Sequence, residues 1–444
     1  MIIELIVTSP SCNANARGEL ILRKNVDDAL QALTNAAVPY HGPAQAEDLV
    51  EQAGRARYAL IGEASHGTSQ FYSHRADLSK RLIAEKGFRF IAVEGDWPSC
   101  YALNRYVKGR TGAGSDAADA LRDFTRWPTW MWANREIVSF AEWLREYNQD
   151  KPEDEKAGFY GFDLYSLWES MDEILKYLGD KDGSDLDAAR RAFECFEPHG
   201  REEQQYGIAA NFYGEGCEDE VVALLRKLQD RWKEAAPGDR EDTLGAELNA
   251  LAVQGAENYY RTMIRQDAGS WNVRDRHMVD ALERLMTYHG EGARCIVWAH
   301  NTHVGDARAT DMAAEGMVNV GQLLRERHGS EVYAIGFSSY RGTVIAGRAW
   351  GEPEEVMTVP PAMTGSVEEM LHRIGPEDKL VMLGVESGIL SEIALGHRAI
   401  GVVYHPEYER GNYVPTILAK RYDALIYLDR TDALSPLAPE LAHP

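Results

Sequence analysis

The chain has 444 residues, 44% of them hydrophobic and 26% charged, a composition that can bury a sizeable core. Seventy acidic residues against 47 basic ones leave a net charge of −23, which argues against nucleic-acid binding, since a phosphate backbone needs clustered Lys and Arg. No apolar run approaches the ~20 residues that span a bilayer, and the first 20 residues lack the basic-then-apolar pattern of a signal peptide. Cys12, Cys100, Cys195, Cys217 and Cys295 are odd in number, widely spaced and free of any CxxC pair. They read as free thiols, and the chain therefore as cytoplasmic, with no membrane partner.

In chain order, short β-branched or apolar runs alternate with helical patterns. Tyr58–Ile61 leads into Gly62-Glu-Ala-Ser-His-Gly67, and a helix follows over Ser73–Glu85 with Leu78, Leu82 and Ile83 on one face and Gly87 as terminator. Phe88–Val93 leads into Glu94-Gly-Asp-Trp-Pro98, where Pro98 opens the next helix. Another helix covers Arg135–Tyr147, and Gly158–Tyr160 leads into Asp163. From about Leu167 to Tyr288 the pattern is helical and charged throughout, over Glu218–Glu234, Thr243–Gln266 and Val273–Tyr288, with Ser270 or Asn272 as the cap of the last. Strand runs then resume at Cys295–Ala299, which leads into His300-Asn-Thr-His303, and at Val332–Phe337, Leu380–Val385, Ala399–Tyr404 and Leu425–Leu428.

This alternation specifies an α/β fold, a mostly parallel central sheet flanked by helices, with a helical insertion or cap. The expected boundaries are 1–166 for the first part of the core with its N-terminal helix, 167–290 for the insertion, 291–432 for the second part, and 433–444 for an irregular tail.

Ligands of open parallel sheets bind at the carboxyl ends of the strands, where several loops converge. Glu63 and His66, Glu94, Asp163, and His300 and His303 all directly follow strand runs, so four strands aim ionisable groups at one edge. Glu63 and His66 are three residues apart, close enough for the carboxylate to fix one ring nitrogen and free the other to take a proton. His66 is then the candidate general base and Glu63 its orienter. There is no G-x-S-x-G elbow around Ser65 or Ser387, no HExxH, no Walker loop and no GxGxxG after the first strand. Those absences disfavour a serine hydrolase. A metal-assisted hydrolase using the same histidines and glutamates stays open, as does a small-molecule binding protein without turnover.

The segments Gly62–Gly67, Val93-Glu-Gly-Asp-Trp-Pro98 and His300–His303 resemble the erythromycin esterase family, as do Tyr165, the aromatic run Trp127–Trp132 and Asn272-Val-Arg-Asp275. The resemblance runs from about Leu33 to Leu428. It implies a mixed α/β core with a helical elaboration, and hydrolysis of a bulky ester or lactone without a covalent intermediate, cofactor or bound metal. Carried onto this sequence, it implies His66 as base, Glu63 and Glu94 as supporting carboxylates, and His300 and His303 as the later histidine pair. Arg75 would stabilise oxyanion charge. Trp127, Trp130 and Trp132 would line an apolar wall, with packing of the cap as the equal alternative; Tyr165, Asp163 and Arg274 would face the substrate, with a structural role for Arg274 and Asp275 as the safer alternative.

Overall fold

The computed structural model describes residues 16–179, 184–199, 203–213, 216–263, 268–384 and 387–437. Among the described residues eleven strands form in chain order: β1 (Ala37–Pro39), β2 (Tyr58–Ile61), β3 (Phe90–Asp96), β4 (Gly158–Asp163), β5 (Cys295–Trp298), β6 (Val332–Gly347), β7 (Glu354–Val359), β8 (Lys379–Met382), β9 (Leu395–Arg398), β10 (Tyr413–Thr416) and β11 (Ala424–Thr431). The main sheet runs β1-β8-β11-β6-β2-β5-β3-β4, and β7 pairs with the far end of β6. The neighbours from β11 to β4 are parallel, whereas β8 lies antiparallel to β11, β1 to β8 and β7 to β6. The fold is therefore the expected mixed α/β architecture. All of β2, β4 and β5 is buried, as strands covered on both faces require.

The helices follow their local signals. Ser69–Lys86 ends at Gly87, whose φ of 73° supplies the left-handed residue that closes the last turn. Trp97–Val107 carries Pro98 in its first turn, and Arg135–Asn148 is capped by the Asn134 side chain accepting from the Ile137 amide. Between β4 and β5 the described residues contain only helices: Leu167–Gly179, Ser184–Phe196, Glu203–Tyr213, Glu218–Glu234, Arg240–Met263 and Ala268–His289, with shorter 3₁₀ turns. Their apolar faces close on a core of their own that includes Leu164, Met171, Leu224 and Val253. None of the helices among the described residues is long and apolar enough to cross a membrane.

Three expectations are corrected. Ala399–Tyr404 is not a strand; it makes single backbone contacts, Ile400 to Ala64 (2.8 Å) and Tyr404 to Gly347 (3.0 Å), and the ladder next to it belongs to β9 and β10. Ser270 and Asn272 do not cap a helix, because that helix already starts at Ala268. Asn272 instead donates to the Gly316 carbonyl and accepts from the Val318 amide. The thiols are not all free, since Cys195 and Cys217 form a disulfide that ties two helices of the helical block. That removes the cysteine argument for a reducing compartment. Cys100 and Cys295 are free and buried, and burial pushes both thiols well above their ordinary range, which makes them inert. Cys12 and Val385 lie outside the described residues, as do 438–444 of the expected tail; its described part is anchored by Leu434, whose amide donates to Gly67.

Candidate active site

The loop after β2 places Glu63 and His66 on one turn. His66 Nδ1 lies 2.9 Å from Glu63 Oε1, and Arg75 reaches the other oxygen at 2.6 Å from the helix Ser69–Lys86. Glu63 and Arg75 are completely buried. The guanidinium is sandwiched between the rings of Tyr72 (4.3 Å) and Trp298 (4.9 Å), so it is spent on Glu63 and the core behind it. Glu63 thus holds one nitrogen of His66 and leaves Nε2 free.

The second carboxylate arrives from β3. Glu94 Oε2 accepts the His300 amide at 2.7 Å, and Oε1 accepts from Arg274 at 2.8 Å and lies 3.3 Å from His303 Nε2. Burial alone would raise the Glu94 pKa, but His303, His66 and Arg274 together hold it well below the usual carboxylate range. Trp132 donates its indole N–H to the Glu94 carbonyl at 3.2 Å. Asp163, at the end of β4, forms a two-pronged pair with Arg274 at 2.6 and 3.0 Å.

The loop after β5 supplies the histidine pair. His303 Nδ1 lies 2.9 and 3.0 Å from the two Asp275 oxygens, and its ring stacks on Trp271 at 4.6 Å. Burial would lower its pKa, yet Asp275 and Glu94 hold it up to about 9. Arg274 Nη1 also lies 3.0 Å from His303 Nε2, a contact that suits a bare nitrogen better. The three carboxylates Asp163, Glu94 and Asp275 around the two cations decide for the protonated ring.

His300 is the opposite case. Burial, then the neighbouring His66, push its pKa well below 6.5, so the ring is neutral. Its Nδ1 accepts the Thr302 amide at 3.3 Å, which puts the ring proton on Nε2. That buried N–H has the Ala64 carbonyl beside it but makes no hydrogen bond of good geometry among the described residues. The His300 and His66 rings are 5.0 Å apart.

The structure thus brings together Glu63, His66, Arg75, Glu94, Asp163, Arg274, His300 and His303. Tyr165 lies beneath Arg274 (4.9 Å) and Arg126 (5.2 Å) at the edge of this cluster. The three tryptophans separate: Trp130 is a core residue, Trp132 backs Glu94, and Trp127 packs at the surface against Trp350 at 4.7 Å. Trp271, which carried no expected role, and Asp275, expected to be structural or cleft-facing, both help to form the site. Their signal was legible, because Trp271, Arg274 and Asp275 stand at i, i+3 and i+4 of one helix and so share a face. Among the described residues no group of three or more His, Cys, Asp or Glu side chains is arranged to hold a metal ion.

A histidine–carboxylate cluster at the carboxyl edge of a parallel α/β sheet lies where such folds bind and transform small molecules. The erythromycin esterase family model matches residues 83–431, and the chain belongs to that family. The match includes Glu94, Asp163, Arg274, His300 and His303 and begins after Glu63, His66 and Arg75. The chain is 22% identical over 315 residues to erythromycin esterase type II of Escherichia coli, covering 66% of this chain and 71% of that one. In fold it is similar to a Bacillus cereus protein (TM-score 0.76, 19% identity, 93% and 99% of the two chains) and to a protein described as a succinoglycan biosynthesis protein (0.75, 20%, 92% and 98%). It is also similar to a mutant of the erythromycin esterase EreC in its open conformation (0.64, 17%, 87% and 93%).

Proposed function

We propose that this hydrolase cleaves an ester or lactone in a bulky small molecule by direct attack of water that His66 activates. The observation that carries the reading is the buried Arg75–Glu63–His66 chain, which fixes Nδ1 and leaves Nε2 as a proton acceptor. Water oxygen adds to the carbonyl carbon while its proton passes to His66 Nε2. The oxyanion that forms takes the unused Nε2–H of His300, a neutral donor already in place beside His66. Collapse breaks the bond from carbonyl carbon to alkoxy oxygen, and the leaving alkoxide recovers the proton from His66. Glu94 holds the His300 amide and Arg274, so it orders the donors rather than attacking.

Ser65 is engaged with the Thr68 hydroxyl and has no elbow around it, so no serine is assigned as nucleophile. The name of the Escherichia coli relative makes a macrolide lactone the first substrate to test, beside simple aryl esters. In ¹⁸O-labelled water the product carboxylate should carry one solvent oxygen while intact-protein mass shows no acyl adduct. His66→Asn should lower turnover by about two to four orders of magnitude. An adduct on any serine or cysteine, or near-normal turnover of His66→Asn, would overturn the mechanism.

A further inference from the structure

Behind the site lies a second histidine–carboxylate pair that the chemistry above does not use. His397 of β9 places Nδ1 2.7 Å from Glu368 Oε1, and both side chains are completely or almost completely buried. Burial would raise the Glu368 pKa, but the hydrogen bond from His397 brings it below the usual value. A buried carboxylate is a costly way to fill a core, and apolar side chains would pack there at less expense in solvation. What the pair adds is direction.

The direction is taken up by Asn301, the residue between the two site histidines. Its Oδ1 accepts the Phe337 amide at 3.3 Å, which fixes the flip of the side chain. Its Nδ2 then donates to the Phe337 carbonyl at 2.7 Å and, with its second hydrogen, to His397 Nε2 in a long 3.4 Å contact. An accepting Nε2 puts the ring proton on Nδ1, facing Glu368. The Asn301 backbone meets the first loop, where its amide donates to the Glu63 carbonyl at 2.8 Å. Its Oδ1 presses on Gly62 so closely that a Cβ there would lie 2.1 Å away. The loops after β2 and β5 and the middle of β6 are thus joined through one residue, Asn301, whose oriented side chain holds β6 and whose backbone N–H holds Glu63.

We propose that Asn301, His397 and Glu368 are positioning residues that hold the Glu63 backbone, and through it the Glu63–His66 pair, in the geometry hydrolysis needs. This rests on the hydrolytic reading above. None of the three touches the reacting atoms. A carboxylate orients a ring, the ring orients the Asn301 side-chain amide, and that amide fixes the residue whose backbone N–H holds the loop of the base. Misplacement of a base by a fraction of an ångström slows the chemical step without altering how substrate binds.

The test uses the full chain with ¹⁵N-labelled histidine. NMR reads the tautomer of His66, and steady-state kinetics on a hydrolysed ester read kcat and KM separately. His397→Leu should lower kcat about 10- to 100-fold with KM within about two-fold, and should divide the His66 signal between both tautomers. His397→Gln, whose amide can accept from Asn301 and donate to Glu368, should restore both quantities. Should the leucine variant not fold, Asn301→Ser removes the same amide and is read in the same way. A folded variant that keeps both kcat and a single His66 tautomer overturns the proposal, as does a glutamine variant no better than leucine. If the wild type hydrolyses no ester, the hydrolytic reading falls, and the His66 tautomer in the variants still decides the positioning role.

Discussion

His303 lies against Asp275 and Glu94, and its protonation couples the site to pH. Its folded pKa of about 9 stands above the ordinary 6.5, so the folded state binds this proton more tightly than the unfolded chain does. The resulting stabilisation is fully present below pH 6.5 and is lost as pH rises through about 9. Urea midpoints of the wild type should therefore fall across that window more steeply than those of His303→Asn; parallel profiles would show that the ring is neutral throughout. At this scale the sequence was most legible where a polar residue directly follows an apolar run, as Glu63, Glu94, Asp163 and His300 do. It was least legible where tertiary contact alone assigns the task. Arg75 looks like an oxyanion ligand beside the first motif, yet the structure seats it between Tyr72 and Trp298 as the counter-ion of Glu63. Trp271 and Asp275 share a readable helix face with Arg274, but that helix is far from any strand run, and packing alone shows the pair holding His303.

The elements around the site are joined by close backbone approaches, and Gly67 marks the tightest. The Gly67 carbonyl accepts the Ile345 amide at 3.1 Å, and a Cβ on Gly67 would lie 1.9 Å from the Ile345 carbonyl oxygen. Gly67→Ala should therefore push β6 away from the loop that carries His66. Overpacking against backbone costs about 1–3 kcal/mol, and chemical denaturation of the variant should show at least that loss together with reduced turnover. A variant as stable and active as the wild type would mean that β6 moves aside freely. The central strands were readable because burial on both faces makes them continuous apolar runs. The far half of β6 and its partner β7 were not, since β7 is largely exposed and its short apolar stretch is broken by Glu354, Glu355 and Thr358. The run Ala399–Tyr404 misled for the opposite reason: its β-branched residues fill single contacts beside Ala64 and Gly347 without joining a ladder.

For the molecule as a whole, the helical block carries the largest surprise. Residues 195 and 217 are linked by a bond that no spacing in the sequence signals, because a pair 22 residues apart resembles no motif. Closing a loop of that length stabilises the folded state by about 3 kcal/mol in the chain-entropy account. Reduction with dithiothreitol, or Cys195→Ser, should therefore open the helical block to limited proteolysis before the sheet yields. A thiol count that does not rise on reduction, with cleavage unchanged, would show that the link does not form. The strand order has its own consequence for how the chain is made. Strand β2, which carries the loop of Glu63 and His66, sits between β5 and β6 and touches no earlier strand of the sheet. At roughly 5–20 residues per second it must wait tens of seconds for Cys295 to leave the ribosome, while β3 and β4 can already pair. The half-built sheet thus leaves an apolar strand unpaired throughout synthesis of the helical block, an exposure that makes nascent chains prone to aggregate in that interval.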